Sequence, residues 1–437
     1  MRFILVIWIG IVSTSLFSQK QYLHRTPSES LFNYSGSAEL DNGNIVSCFR
    51  NRHFTFVDSV NIFCTEMFFY YYDKDLNPID TFSFTLDCDP HLNNYINSNI
   101  VKSGGKIYFA SGLWDEIEYH HAGHRIISFD PITKNHEILA TSLDTLGSKS
   151  ALEWILYMDS LTNNLVLFKS YNTGYQDLLT YNITTKEQVR IDLHDPGLLA
   201  AQSLYNNFTS GIAVSDGFIY FLDNYISKYN LLSKEFSHKI ANSRPSVSII
   251  SYSNNCRIID SRIISIHYTS SYEPITQTTS YKLSSLSYTL QDKPEDIILK
   301  DIDIVDSPCS YPTLFTDDLG PAKSGHFTAG FTHRGLDNLV CTQLGPSFIG
   351  FETYYGIFIF DDDLNICDTI KYKDGHTEIM LKNQVNDSIV AIGGYKAIGS
   401  GFNDPDIEHY SFVRFININQ TCAKELSAQK HPPLSMS

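Results

Sequence analysis

One ten-residue phrase is written twice in this chain: YYDKDLNPID (71–80) and IFDDDLNICD (359–368) match in register. Each has two apolar or aromatic residues, then Asp-x-Asp-Leu-Asn, then Asp at the tenth place. The same local grammar recurs in ISFDPITKNHEIL (127–139), LTYNITTKEQVRIDL (179–193), SKYNLLSKEFSHKI (227–240), SYKLSSLSYTL (280–290) and VRFININQTCAKEL (413–426). In every copy an apolar strand ends on an aromatic, a few turn-forming residues follow, and a second strand begins. The aromatic anchors are Tyr72, Phe129, Tyr181, Tyr229, Tyr281, Phe360 and Phe415. They recur at about 50-residue intervals, with one longer interval that points to an insertion at 291–346.

A second element precedes most anchors, a turn followed by a short apolar strand: NGNIV (42–46), GGKIYFA (104–110), NNLVLF (163–168), DGFIYF (216–221), SRIISI (261–266) and NDSIVAIGG (386–394). Short runs of Ile, Val, Tyr and Phe bounded by Gly, Asn and Asp are strands joined by hairpins. Aromatic residues make up 13% and charged residues only 18%, a balance that suits strands rather than long salt-bridged helices. Each unit then holds about four strands, the content of a propeller blade. The expected fold is an all-β β-propeller of seven four-stranded antiparallel blades, one domain over 19–426. Residues near 20–30 should pair with the last blade, because closure removes the exposed sheet edges of an open array. A pair of β-sandwiches is the rival, but no Pro, Gly or Ser-rich linker divides the chain.

IYFASGLWDEIEYHHAGHRIISFDPITKNHEIL and IVAIGGYKAIGSGFNDPDIEHYSFVRFINI resemble Kelch-like repeats of secreted bacterial propellers, with Gly393 and Gly394 in the place of the family's double glycine. The double glycine is missing from that place in the other units, as is the Trp usual in the final strand. The resemblance therefore implies an architecture and no ligand.

The N-terminal stretch MRFILVIWIGIVSTSLFSQK has one Arg, about ten apolar residues and small polar residues after them. That pattern is expected to be a signal peptide (1–18), too short to span a bilayer, leaving a secreted or periplasmic protein without membrane insertion. The tail 427–437 is expected to be disordered. Eight cysteines are scattered singly; burial suits most of them, and Cys48 with Cys64 is the best pair for a bridge if a hairpin turns near residue 56. A formal net charge of −16 disfavours nucleic acid, whose binding needs Lys and Arg on phosphates. A monomer is expected.

The spacings Asp73-x-Asp75-x-Asn77 and Asp361-x-Asp363-x-Asn365 fit calcium loops, yet the loop Gly and the twelfth-position Glu are absent. Turn chemistry is the stronger reading, since Asp and Asn hydrogen-bond their own backbone. No metal or cofactor is expected. His120, His121 and His124 form the densest imidazole cluster, with Trp114, Asp115 and Glu116 just before them in what reads as one long loop, 111–124. Aromatic and acidic side chains together suit sugar recognition, so these six are the candidate ligand-binding residues. Other variable loops are expected at 171–176, 268–279 and 395–409. Sialidase box, nucleophile elbow, P-loop and dinucleotide glycines are all absent. The expectation is a non-enzymatic binding or scaffold module for a carbohydrate or protein partner. The alternative is a glycosidase or lyase with carboxylates such as Asp115, Glu116, Asp177 or Glu352 around a central channel.

Overall fold

A computed structural model describes residues 20–25, 31–57, 60–86, 93–115, 120–143, 151–171, 176–191, 212–222, 225–241, 256–259, 262–273, 278–289, 298–303, 311–313, 320–322, 326–335, 352–361, 365–374, 377–398 and 408–418. Among them every regular element is a strand. The strands fall into seven antiparallel sheets, numbered I to VII here in chain order. Sheet I holds Leu31–Glu39, Ile45–Val57, Val60–Tyr72 and Pro78–Thr85. Sheet II has a divided first strand, Asn93–Asn97 and Val101–Ser103, then Lys106–Asp115, His120–Phe129 and His136–Leu143. Sheet III contains Ala151–Asp159, Asn164–Tyr171, Gln176–Asn182 and Gln188–Ile191. Sheet IV contains Ile212–Ser215, Phe218–Leu222, Tyr225–Asn230 and Glu235–Ala241. Sheet V spans Cys256–Ile259 to Ile298–Asp303, and sheet VI spans Tyr311–Thr313 to Ile366–Asp374. Sheet VII has Thr377–Asn386, Ile389–Ile398 and Glu408–Asn417, and its fourth strand comes from the other end of the chain, Lys20–Arg25.

The core is a series of slabs between consecutive sheets. In the strand Lys106–Asp115, Ile107 and Phe109 pack on Val46 and Phe69 of sheet I, while Tyr108 and Ala110 pack on Leu156 and Leu167 of sheet III. Alternate side chains of one strand thus serve two neighbours, so the strand is apolar on both faces from Ile107 to Ala110. Equivalent slabs join III to IV and VI to VII. The slab of Ala391, Val413 and Phe415 against Tyr34, Phe49 and Tyr72 joins VII back to I. Fully burying one such Phe or Val is worth about 1.5–3 kcal/mol. The fourth strands Pro78–Thr85 and His136–Leu143 are mostly exposed, whereas the first strands of sheets I, II, III, IV and VII line one common cavity. Consecutive meanders stacked face to face, first strands inward, with the N-terminal strand completing the last sheet, are a β-propeller.

Two amides stitch the inner strands. Asn99 of sheet II clasps the backbone of Leu156 in sheet III, accepting from its N–H at 2.7 Å and donating to its carbonyl at 3.0 Å. Asn383 of sheet VII does the same to Ser37 of sheet I, at 2.9 and 2.5 Å. Gly393 lets sheet VII approach sheet I, since a Cβ there would lie 2.1 Å from the Tyr34 ring.

The repeated phrase is a turn. Asp73 Oδ1 accepts the N–H groups of Asp75 and Asn77 at 2.9 and 2.7 Å, and Oδ2 accepts the Asn77 amide at 2.9 Å. Asp361 binds Asn365 in the same way. Asp130, Asn182 and Asn230 accept the N–H groups two and three residues on. Leu76, Lys134, Lys186 and Lys234 take the left-handed backbone conformation that ends these turns.

Several expectations are corrected. Tyr281 does not end its strand: Thr278–Thr289 runs on past it, so the fifth unit turns later than its sequence suggested. The stretch 291–346, expected as an insertion, supplies Ile298–Asp303 to sheet V and Tyr311–Thr313, Gly320–Ala322 and His326–Gly335 to sheet VI. Of the loop expected at 268–279, residues 268–273 and 278–279 are strand, and of the loop expected at 395–409 the two ends are strand while 399–407 lie outside the described residues. The hairpin of sheet I turns between Val57 and Val60, which pairs Cys48 with Phe69 and Cys64 with His53. Cys48 is a free buried thiol, while Cys64 and Cys367 are each disulfide-bonded. The segments 1–18 and 427–437 and residue Glu116 lie outside the described residues.

Candidate functional site

The described candidates, Trp114, Asp115, His120, His121 and His124, sit on two paired strands rather than in a loop. Lys106–Asp115 pairs with His120–Phe129, opposing Trp114 to His121 and Asp115 to His120. The apolar run through Leu113 and the tight contact of Gly123 explain why strand continues here. A Cβ on Gly123 would meet the Ser142 carbonyl at 2.0 Å, so this glycine allows close backbone approach rather than loop freedom.

A register shift decides which histidines meet. Leu113 opposes Gly123 and Trp114 opposes His121, leaving Ala122 as the extra residue of a β-bulge. The bulge turns His121 and His124 towards the same neighbour, although plain alternation would set them on opposite faces. Both rings are fully buried against Trp154 of sheet III, with centroids 5.5 and 6.3 Å away and edge-on geometry. His124 Nδ1 lies 3.4 Å from Nζ of Lys169, itself fully buried. Lys169 pairs with Asp177 at 2.6 Å, and Arg190 takes the other Asp177 oxygen at 2.8 Å. Lys169 also lies 5.5 Å from the Trp154 ring. Such a charge is tolerated in the interior only because it is paired.

Trp114 and Asp115 remain half-buried at the hairpin end. The site residues are therefore divided: Trp114 and Asp115 at one rim, His121 and His124 inside the wall between sheets II and III. His120 lies opposite Asp115 on the backbone.

The second concavity is a cavity of about 290 Å³ at the inner ring. Ser35, Ser37 and Glu39 of sheet I face Asn99 and Lys102 of sheet II across it, with Tyr157 and Asn383 on the other walls. Its lining residues sit towards the turns that join first to second strands. Trp114 lies eight residues along its strand from Lys106, roughly 26 Å away, at the opposite end. Sequence reasoning missed this cavity, because Asn99 and Asn383 sit in plain polar surroundings; their shared place shortly before a first hairpin turn was the available signal. Among the described residues no three His, Cys, Asp or Glu side chains gather to hold a metal, and no helix is long and apolar enough to cross a membrane.

No protein-family profile and no curated protein matches this chain. Solved structures do. It is similar to the WD40 domain of SCAP from fission yeast (8% identity, 91% of this chain and 98% of that one covered, TM-score 0.39). It is also similar to the Penicillium chrysogenum α-L-arabinanase complexed with arabinobiose (10%, 92% and 98%, 0.41). A third is the β-propeller domain of Myceliophteria thermophila Cps50 (Swd1) (9%, 89% and 99%, 0.42).

Proposed function

We propose that this protein is an exported, non-enzymatic binding or scaffold module, one closed ring of seven blades that engages a carbohydrate or protein partner through hairpin ends on one face. The division of the 114–124 hairpin carries the reading. Trp114 and Asp115 stay half-exposed at its end, whereas His121 and His124 are walled in beside Lys169. An indole stacks on the apolar face of a sugar ring and a carboxylate accepts hydroxyl hydrogen bonds. General acid–base catalysis needs an imidazole within reach of substrate, and these two are turned inward. The disulfide-bonded Cys64 and Cys367 support export, since such bonds persist in oxidising compartments. The charge of −16 argues against a nucleic-acid partner.

The test is retention of the protein on a panel of immobilised polysaccharides, with the supernatant assayed for released oligosaccharides. Retention without release, lost by at least about tenfold in Trp114→Ala through the missing stacking energy, is the expected result. Released products would establish the carbohydrate-active enzyme instead, and no retention would leave a protein partner.

A further inference from the structure

The strand that closes the ring carries a titratable group in its seam. Lys20–Arg25 pairs along Glu408–Asn417, with His24 opposite Ser411. From that strand, side chains reach across to sheet I. His24 stacks on Tyr70 at 3.6 Å, meets Phe49 edge-on at 5.4 Å, and places Nε2 3.3 Å from the Tyr72 hydroxyl. Tyr22 packs on Tyr72 and Phe415 and donates to the Leu76 carbonyl. Lys20 donates to the Asp75 carbonyl and the Asn77 side chain at 2.6 and 2.7 Å. One short strand thus holds sheet VII to the turn and third strand of sheet I.

We propose that Lys20–Arg25 is an acid-released latch, in which neutral His24 holds the strand in the seam between sheets VII and I and its protonation lets the strand go.

The reason lies in what surrounds the imidazole. From sheet I it faces Phe49 and the phenols of Tyr70 and Tyr72; from its own strand, Tyr22; from sheet VII, Ser411. Burial raises the pKa of all three phenols, so they stay neutral throughout the acid range. The charged groups on the neighbouring elements are engaged elsewhere or displaced along the seam. Glu66 lies on the Tyr70 side and accepts from Ser83. Asp73 caps its own turn, Lys20 lies on that turn, and Arg414 of sheet VII binds Gln21. A proton on His24 would create a charge met by ring faces and the neutral Tyr72 hydroxyl but by no carboxylate that these contacts bring to it, and a cation over Tyr70 gains less than its lost hydration. Burial accordingly lowers the His24 pKa to about 4.

The sign follows. In the released strand His24 titrates near its ordinary value of about 6.5. The closed form is therefore fully favoured above that pH and loses its advantage as pH falls towards 4. Between pH 7 and 4.5 the ratio of closed to released strand should drop about 60-fold.

Amide hydrogen exchange on the full chain, corrected for intrinsic rates, tests this. Protection of Lys20–Arg25 should fall about 60-fold from pH 7 to 4.5 relative to the outer strand His136–Leu143. In His24→Phe, which keeps an aromatic ring and removes the titration, that fall should vanish. An equal fall in His24→Phe, or none in the wild type, overturns the latch. Should His24→Phe not fold, the imidazole is titrated by NMR in the wild type. A midpoint well below 6 supports the latch, and an ordinary midpoint with the strand still protected overturns it.

Discussion

Gly393 was legible as part of a double glycine; its reason was not. The Tyr34 ring occupies the space a side chain would need, and the Tyr34 hydroxyl is tied to Ser37 and Asn383. Gly393→Ala should therefore destabilise by at least about 2 kcal/mol, since the packed ring cannot withdraw, read as a lowered urea midpoint at unchanged slope. The histidines show the opposite case. Their clustering was plain from HHAGH, but their burial depended on a one-residue bulge at Ala122 and on Trp154, Lys169 and Asp177 from a distant part of the chain. No local pattern encodes that meeting. Lys169→Met leaves the Asp177 carboxylate buried with Arg190 alone and should cost about 3–5 kcal/mol. Adding Asp177→Leu should recover part of this loss in a double-mutant cycle. A cost of the double variant equal to the sum of the two single-variant costs would show that the ion pair is not the coupling.

Turns were the best-read elements, because Asp and Asn act locally. Asp73, Asp130, Asn182, Asn230 and Asp361 do what their type and spacing imply. Asp130→Ala removes two backbone hydrogen bonds and should cost about 1 kcal/mol, whereas adding or chelating calcium should leave the melting temperature unmoved. Hydrogen bonds from Asn77 and the Asn77 backbone hold Asp73 below the usual carboxylate range; Lys134 does so for Asp80 and the Thr133 N–H for Asp130. Each group favours folding above its unfolded pKa of about 3.9 and gives up that contribution as pH falls below it. The acid limb of a stability–pH profile should flatten when Asp80 and Asp130 are replaced by Asn. Element assignment failed where an aromatic is not a terminus. Tyr281 precedes serines that look turn-forming, yet Ser284, Ser285 and Ser287 pair on both sides within sheet V. Serine tolerates either state, and cross-strand partners decided. The cysteine pairing failed for a smaller reason, a hairpin tip displaced by two to three residues, which changes every opposing partner.

At the scale of the molecule, repetition carried the fold. A unit that buries both faces needs a neighbour on each side, and the run of sheets ends without an unpaired neighbour only if VII returns to I. The structure makes that return three ways: the slab around Phe415 and Tyr72, the clasp of Asn383 on Ser37, and the strand Lys20–Arg25. The inner cavity is a product of this closure and of no single segment, which is why no stretch of sequence announced it. Equilibrium urea unfolding of the chain lacking residues 20–25, beside the chain that retains them, tests closure most directly. The account predicts that the deletion lowers stability by several kcal/mol and raises hydrogen exchange in both Glu408–Asn417 and Val60–Tyr72. Unchanged stability, or exchange confined to sheet VII alone, would contradict a ring fastened at that seam.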